Sequence, residues 1–344
     1  MTTILCTLYN SLYLDKGLVL YDSLCECAKD FKLYVLCMDD KCYEVLTDLK
    51  QEHHIPVRLA DFEFGDEDLL AAKANRPMGE YCWTCSSSFI RYVLKHYQED
   101  SCTYIDADMF FYNDPQVLVD EMLSAGKSVM VVPHRFPEDK KELAQKVGTY
   151  CVEFNTFLNT PVSLEVLEYW RGRCLECCSN LGDGIHWGDQ KYLDEMANSF
   201  DCVHVCMNPG AGVAPWNLSL YRLANEEFNE KRLFFINELT SIVFYHFQGI
   251  KYISNSIIST GIKYNEEKID KRLLDFLYKE YLIKSVAQKK WLEKVVGIKS
   301  MIKRHPSNVI NSKFRKMFHH TIIYKLFFFI YQLTNRDKNY LIRL

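Results

Sequence analysis

Asp106-Ala-Asp108 is the pair of residues in this chain best suited to chemistry. Two carboxylates one residue apart project toward the same rim only where a strand gives way to a loop. There they can share a hard divalent cation and the phosphate oxygens it bridges. The competing reading is a pair of solvated turn formers. Context separates the two: Tyr104-Ile105 makes the approach apolar, Met109-Phe-Phe-Tyr112 is apolar beyond it, and Asn113-Asp-Pro115 turns the chain. Acids placed between apolar runs point to a task. His246 follows the apolar run Ile242-Val-Phe-Tyr245, where a histidine is either a satisfied core residue or a metal ligand. Asp189, just after Gly188, reads equally as a helix N-cap or as a site acid. His134-Arg135 closes an apolar strand, and a guanidinium there suits phosphate or carboxylate. Both are expected near the site.

The elements that would hold these residues alternate. Thr3–Leu8, Leu33–Met38, Pro56–Leu59, Cys102–Ile105, Val129–Val132 and Val152–Phe157 read as strands. Helical spacing covers residues 18–28, 41–52, 80–97 and 163–178, the last with Ser163 as N-cap. Apolar runs without alternation, separated by helices, indicate mainly parallel strands covered on both faces. The expected fold class is therefore α/β, and in such sheets ligands sit beyond the carboxyl ends of the strands, where Asp106 and Asp108 fall. Residues 266–283 and 286–296 read as two charged helices, and no internal repeat is evident.

Taken in order, four segments resemble one family. Tyr104-Ile-Asp-Ala-Asp-Met-Phe-Phe-Tyr-Asn-Asp-Pro115 is similar to the D-x-D segment of nucleotide-diphospho-sugar transferases of the GT-A fold, most of all family 8 glycosyltransferases such as glycogenin and bacterial lipopolysaccharide glycosyltransferases. Phe154-Asn-Thr-Phe-Leu158, Gly188-Asp-Gln-Lys-Tyr-Leu193 and His246-Phe-Gln-Gly-Ile-Lys251 resemble that family's later motifs. The resemblance spans roughly residues 1–255. It implies a Rossmann-type, GT-A-like sheet flanked by helices. It also implies Mn2+ or Mg2+ on Asp106, Asp108 and His246, with Lys251 near the diphosphate. Thr7, Tyr9 and Asn10, after the first strand, would line the nucleotide pocket together with Asp106, Asn155 and Gly249. Asp189 and Gln190 would face the transferred sugar and the acceptor. The histidine-to-lysine spacing is one residue shorter than the family's usual one. The loop Gly210-Ala-Gly-Val-Ala-Pro-Trp-Asn217 would shape a sugar pocket, although turn chemistry alone explains its composition.

The implied activity is transfer of a sugar, from a UDP-sugar above all, to a glycan or lipid-linked acceptor in cell-surface polysaccharide synthesis. Breaking a sugar–phosphate bond builds negative charge on the diphosphate, which a divalent ion and a lysine stabilise. A haloacid-dehalogenase-like phosphohydrolase would also use an Asp pair, but near the start of its domain and with a Gly-Asp-x-x-x-Asp loop. Nucleotidyl transfer would want a glycine-rich loop where Leu8-Tyr-Asn-Ser-Leu stands, and a non-catalytic membrane adaptor would need no acid pair.

Composition sets the remaining expectations. The 344 residues, 48% hydrophobic and 25% charged, are those of a globular protein. With no basic, apolar leader before Asn10, a cytoplasmic location is expected, and the 14 cysteines read as reduced thiols, mostly in the core, with a zinc site built from Cys82, Cys85, Cys174, Cys177 and Cys178 as the rival. The segment from Lys284 onward carries 14 of the 41 Lys and Arg but only two of the 45 acids. Such asymmetry suggests a catalytic domain over 1–265 and a basic helical extension over 266–344. In that extension Lys313, Arg315 and Lys316 interleave with Phe314, Met317 and Phe318, ahead of an apolar run at 322–333 that is too short to span a bilayer. The pattern fits peripheral attachment to the anionic inner face of a membrane better than nucleic-acid binding.

Overall fold

The computed structural model describes residues 2–179, 185–224, 235–236, 240–254, 257–263, 269–297 and 339–343. The chain divides into two compact units, Met1–Phe247 and Gln248–Leu344.

The first unit begins with β1 (Thr3–Tyr9), α1 (Leu14–Cys27), β2 (Phe31–Cys37), α2 (Asp40–Leu49) and β3 (His54–Arg58). Short helices α3 (Leu59–Glu63) and α4 (Glu67–Ala74) precede the long α5 (Met78–His96). Then come β4 (Ser101–Ile105), β5 (Met109–Phe111), α6 (Gln116–Ser124), β6 (Val129–Pro133), α7 (Leu143–Val147), β7 (Tyr150–Leu158), α8 (Pro161–Glu176), α9 (Tyr192–Ser199) and β8 (Val203–Val205). Two-residue strands β9 (Phe235–Ile236) and β10 (Thr240–Ser241) pair with each other, and β11 (Phe244–His246) closes the unit.

Seven strands form one sheet in the order β3-β2-β1-β4-β7-β6-β8. Strands β3, β2, β1 and β4 run parallel; β7 is antiparallel to both β4 and β6. The expected α/β class with a mainly parallel sheet is what the chain adopts. Continuous apolar runs make this possible, because helices cover both faces: β2 buries Leu33, Tyr34, Val35, Leu36 and Cys37 almost completely. On one face, Trp170 of α8 stacks on Phe157 of β7 with ring centroids 5.9 Å apart, beside Phe89 and Cys85 of α5 and Cys174 and Cys178.

Local chemistry sets the helix ends. Asp39 caps α2 by accepting from the Cys42 N–H at 2.7 Å, and Lys50, at φ 48°, ends it in the left-handed region. Thr160, not Ser163, caps α8, because Pro161 occupies the first helical position and moves the start two residues earlier. Ser163 is buried and donates to the Ser128 carbonyl instead.

In the second unit, β12 (Lys251–Ser254), β13 (Ile257–Lys263) and β14 (Asn339–Arg343) form an antiparallel sheet. The two charged helices expected over 266–296 are one helix, α10 (Lys271–Val295), capped by Asp270. No proline or glycine interrupts that stretch, so nothing breaks the hydrogen-bond ladder. Among the described residues no helix is long and apolar enough to cross a membrane. The basic-aromatic segment from Lys313 and the apolar run at 322–333 lie outside the described residues.

Candidate active site

The carboxyl end of β4 positions the acid pair. The strand stops at Ile105, and Asp106 and Asp108 fall on the link to β5, with side chains 30% and 16% exposed. His246 arrives through a separate two-stranded ribbon in which β11 pairs antiparallel with β5, setting His246 opposite Met109. Phe244 of β11 packs face to face on Phe154 of β7 at 5.7 Å, and Phe111 of β5 lies 5.6 Å from it. Backbone bonds fix the histidine's neighbours: the Phe247 N–H donates to the Asp108 carbonyl at 2.8 Å and the His246 N–H to that of Val213 at 2.9 Å.

These constraints bring three expected ligands together. His246 Nε2 lies 3.2 Å from Asp108 Oδ1 and 3.5 Å from Asp106 Oδ2. One ligand atom from each of the three residues lies within 4.8 Å of the others. Two neighbours come from segments whose roles were not apparent in the sequence. Lys16 of α1 places Nζ 3.6 Å from Asp108 Oδ2 and 4.0 Å over the Tyr13 ring. Glu153 of β7 is fully buried and accepts from His246 Nδ1 at 2.8 Å. A lone acid within Val152-Glu-Phe-Asn was the signal for Glu153. A lysine within the run Leu14–Leu20 was the signal for Lys16.

The electrostatics are those of a site with excess negative charge. Burial pushes the Asp106 carboxyl up to about 8; His246 opposes this, while Asp108, Asp189 and Glu153 add to it. Asp108 behaves oppositely: burial would raise it, but Lys16 and His246 hold it well below the usual carboxylate range. For His246, burial favours the neutral ring, yet Asp108, Cys151 and Glu153 together lift it well above the ordinary imidazole value. Hard carboxylate oxygens and one imidazole nitrogen, converging where acids outnumber bases, are a donor set that fits Mn2+ or Mg2+.

Asp189 lies in the same field. Its carboxyl is buried and accepts from Ser86 Oγ at 2.5 Å, and burial raises it to about 7. Its carbonyl accepts from Trp170 Nε1 at 2.8 Å. Gly188 beside it has φ +57° and lies against the Trp83 ring, so a side chain there would be strained. Asp189 is not a helix cap, because α9 starts at Tyr192 with Lys191 in the cap position.

Other expected site residues are placed differently. Gln190 donates its amide to the Val147 carbonyl at 2.6 Å, at the end of α7. Tyr9 packs into the core under Gly17 of α1, and its hydroxyl meets His54 Nε2 at 3.3 Å. Thr7 is buried in β1, and Asn10 accepts from the Leu12 N–H at the following turn. Asn155, opposite Tyr104 in the register, is fully buried with neither side-chain polar atom hydrogen-bonded among the described residues. Gly249, at φ +77°, and Lys251, at the start of β12, belong to the second unit.

Arg135 is corrected as a candidate anion ligand. Its guanidinium donates to the carbonyls of Ala211, Cys206 and Asn208, and its backbone sits at φ 48°. It therefore braces the 206–212 segment. The carbonyl of His134 accepts from Trp216 Nε1 at 2.8 Å and from Asn217 Nδ2 at 2.7 Å. The 210–217 loop is thereby stitched to the end of β6, and Trp216 stands edge-on to the His246 ring at 5.5 Å.

No protein-family profile matches the chain. Two uncharacterized proteins of Bacillus subtilis (strain 168) do match along most of their length. YfnD is 30% identical over 84% of this chain and 89% of its own. YfnF is 32% identical over 74% of this chain and 84% of its own. Among solved structures, the galactosyltransferase LgtC in complex with donor and acceptor sugar analogs superposes with a TM-score of 0.53 and 11% identity, covering 83% of this chain and 96% of LgtC.

Proposed function

The chain belongs to the family of Bacillus subtilis YfnD and YfnF and has the GT-A fold of nucleotide-sugar transferases, and from that premise we propose that it is a metal-dependent glycosyltransferase. Its donor is a nucleoside-diphosphate sugar, a UDP-sugar above all, and its acceptor a glycan or lipid-linked saccharide. The observation that carries this reading is the convergence of Asp106, Asp108 and His246 at the carboxyl rim of the sheet, where ligands of open α/β sheets bind.

Asp106, Asp108 and His246 would hold the cation. When bound there, it supplies positive charge opposite the oxygens of the departing diphosphate. Lys16 keeps Asp108 ionised and adds a cationic group at the same rim. Asp189, oriented by Ser86 and anchored through Trp170, is the acid that faces the transferred sugar. Gln190 is tied to Val147 and serves to hold α7. Lys251 remains the second proposed partner of the diphosphate. Attachment of the basic C-terminal extension to an anionic membrane, with the catalytic unit on the cytoplasmic side, completes the proposal.

A thermal-shift panel tests it. Mn2+ together with one nucleoside-diphosphate sugar should raise Tm, and Mn2+ with a phosphomonoester should not. Slow hydrolysis of the same donor to nucleoside diphosphate should follow. If no sugar nucleotide shifts Tm in the presence of Mn2+ or Mg2+, the reading is wrong.

A further inference from the structure

We propose that Glu153 is the positioning residue of the cation site: it accepts the proton-bearing Nδ1 of His246 and so turns the Nε2 lone pair toward Asp106 and Asp108. The inference rests on the reading of those three residues as cation ligands and goes beyond it.

Strand register explains how an acid comes to lie there. β4 and β7 pair without interruption through Tyr104↔Asn155 and Ile105↔Phe154. Glu153 is the next residue of β7 beyond that last pair, as Asp106 is the next residue beyond the end of β4. On its other edge β7 is irregular, passing from Met130↔Thr156 to Val132↔Cys151. Such a bulge bends the strand and re-aims the side chains within it. Gly212, across from the bulge, leaves the room: a Cβ there would come within 3.1 Å of Glu153 Oε1, and its φ of +71° disfavours any other residue.

Glu153 is fully buried, and among the described residues it pairs with His246. Its second oxygen, Oε1, accepts no hydrogen bond among the described residues. An acid held dry in this way is costly to keep, and a leucine or glutamine would fill the space without that penalty. What the carboxylate adds is control of the imidazole. A neutral histidine carries one proton, and only the Nδ1–H form leaves Nε2 free to bind a metal. A carboxylate on Nδ1 selects that form and makes the ring a stronger donor. Trp216, edge-on to the ring, restrains its plane. Cys151 groups with Glu153 and His246, and its thiol is pushed well up by burial and so stays neutral.

The test uses the full chain and Mn2+ alone. Calorimetric titration should show Glu153→Gln binding Mn2+ about 10- to 100-fold more weakly than wild type, with unchanged far-UV circular dichroism. Electron spin-echo spectroscopy of bound Mn2+ should show a nitrogen coupling from His246 in wild type and its weakening in the variant, a change that mere loosening of the core does not produce. Should Glu153→Gln fail to fold, Glu153→Asp keeps the charge but withdraws it by one methylene, and the same weakening is expected. Wild-type affinity together with full nitrogen coupling in the foldable variant overturns the role of Glu153. A wild type that binds no Mn2+ overturns the ligand set itself, and with it this inference.

Discussion

Removing one hydroxyl should move the pH at which the enzyme works. Ser86 Oγ donates to Asp189 Oδ2 at 2.5 Å in a buried setting. Burial dominates the Asp189 carboxyl and lifts it to about 7, while the Ser86 bond pulls the other way by favouring the ionised form. A hydrogen bond to a charged group contributes about 1.5–3 kcal/mol, and about 1.4 kcal/mol corresponds to one pKa unit. Ser86→Ala should therefore raise the carboxyl by about one to two units. At pH 7 about half of the wild-type Asp189 is ionised, against about a tenth to a hundredth in the variant. If ionised Asp189 faces the transferred sugar, kcat/KM at pH 7 should fall about 5- to 50-fold and recover toward pH 9. The assay is donor turnover against pH for both proteins at one Mn2+ concentration. A bound cation shifts both profiles alike, so their separation is the readout. A loss of equal size at every pH, or no loss, would refute the reasoning.

Three further outcomes follow from the same geometry. Asp108→Asn should abolish saturable Mn2+ binding by calorimetry and metal-dependent turnover while leaving the circular dichroism intact, since the residue lies at the rim; unfolding or retained activity counts against its role. His54 is held neutral by burial, with its value lowered to about 3, its Nδ1 donating to Gln51 Oε1 at 2.7 Å and its ring stacked on Tyr21. Below the unfolded value of about 6.5 the unfolded chain takes up a proton that the native state refuses, so stability present above that pH is lost on acidification. From pH 7 to 5 the loss should be about 2 kcal/mol by urea denaturation, and His54→Gln should lose less; equal losses refute it. Arg135→Ala removes bonds to three backbone carbonyls and should lower stability by about 2–4 kcal/mol, with Arg135→Lys restoring little because an ammonium lacks the planar fork. Unchanged Tm with a raised donor KM would return Arg135 to the substrate.

How far the sequence could be read depends on how local each signal was. Strand ends and the acid pair were legible because apolar runs and turn residues mark them within a few positions, as at Ile105-Asp106 and Asn113-Asp-Pro115. For His246 the residues alone left a core role and a ligand role both open, since the pairing that brings it to Asp108 joins β5 to β11, far apart in the chain. The contacts of Tyr9 and Arg135 were not legible for one reason: residue type shows what a side chain can bind but not where its neighbours lie. Tyr9 found a glycine in a helix, and Arg135 found three carbonyls of an irregular segment. Lys16 and Glu153 were overlooked because a single charge in an apolar stretch looks like an exception to a pattern. Once the sheet is formed, each stands beside an opposite charge.

The pairing of β5 with β11 also orders events during synthesis. The two aspartates are made less than halfway through the chain, whereas the imidazole that completes their trio is the last residue but one of the first unit. A nascent or clipped chain ending before Phe244 would carry the carboxylates without their nitrogen partner, and without the strand that covers Met109 and Phe111. On the reading that these three residues hold a cation, partial products should be inert toward a scarce activated sugar.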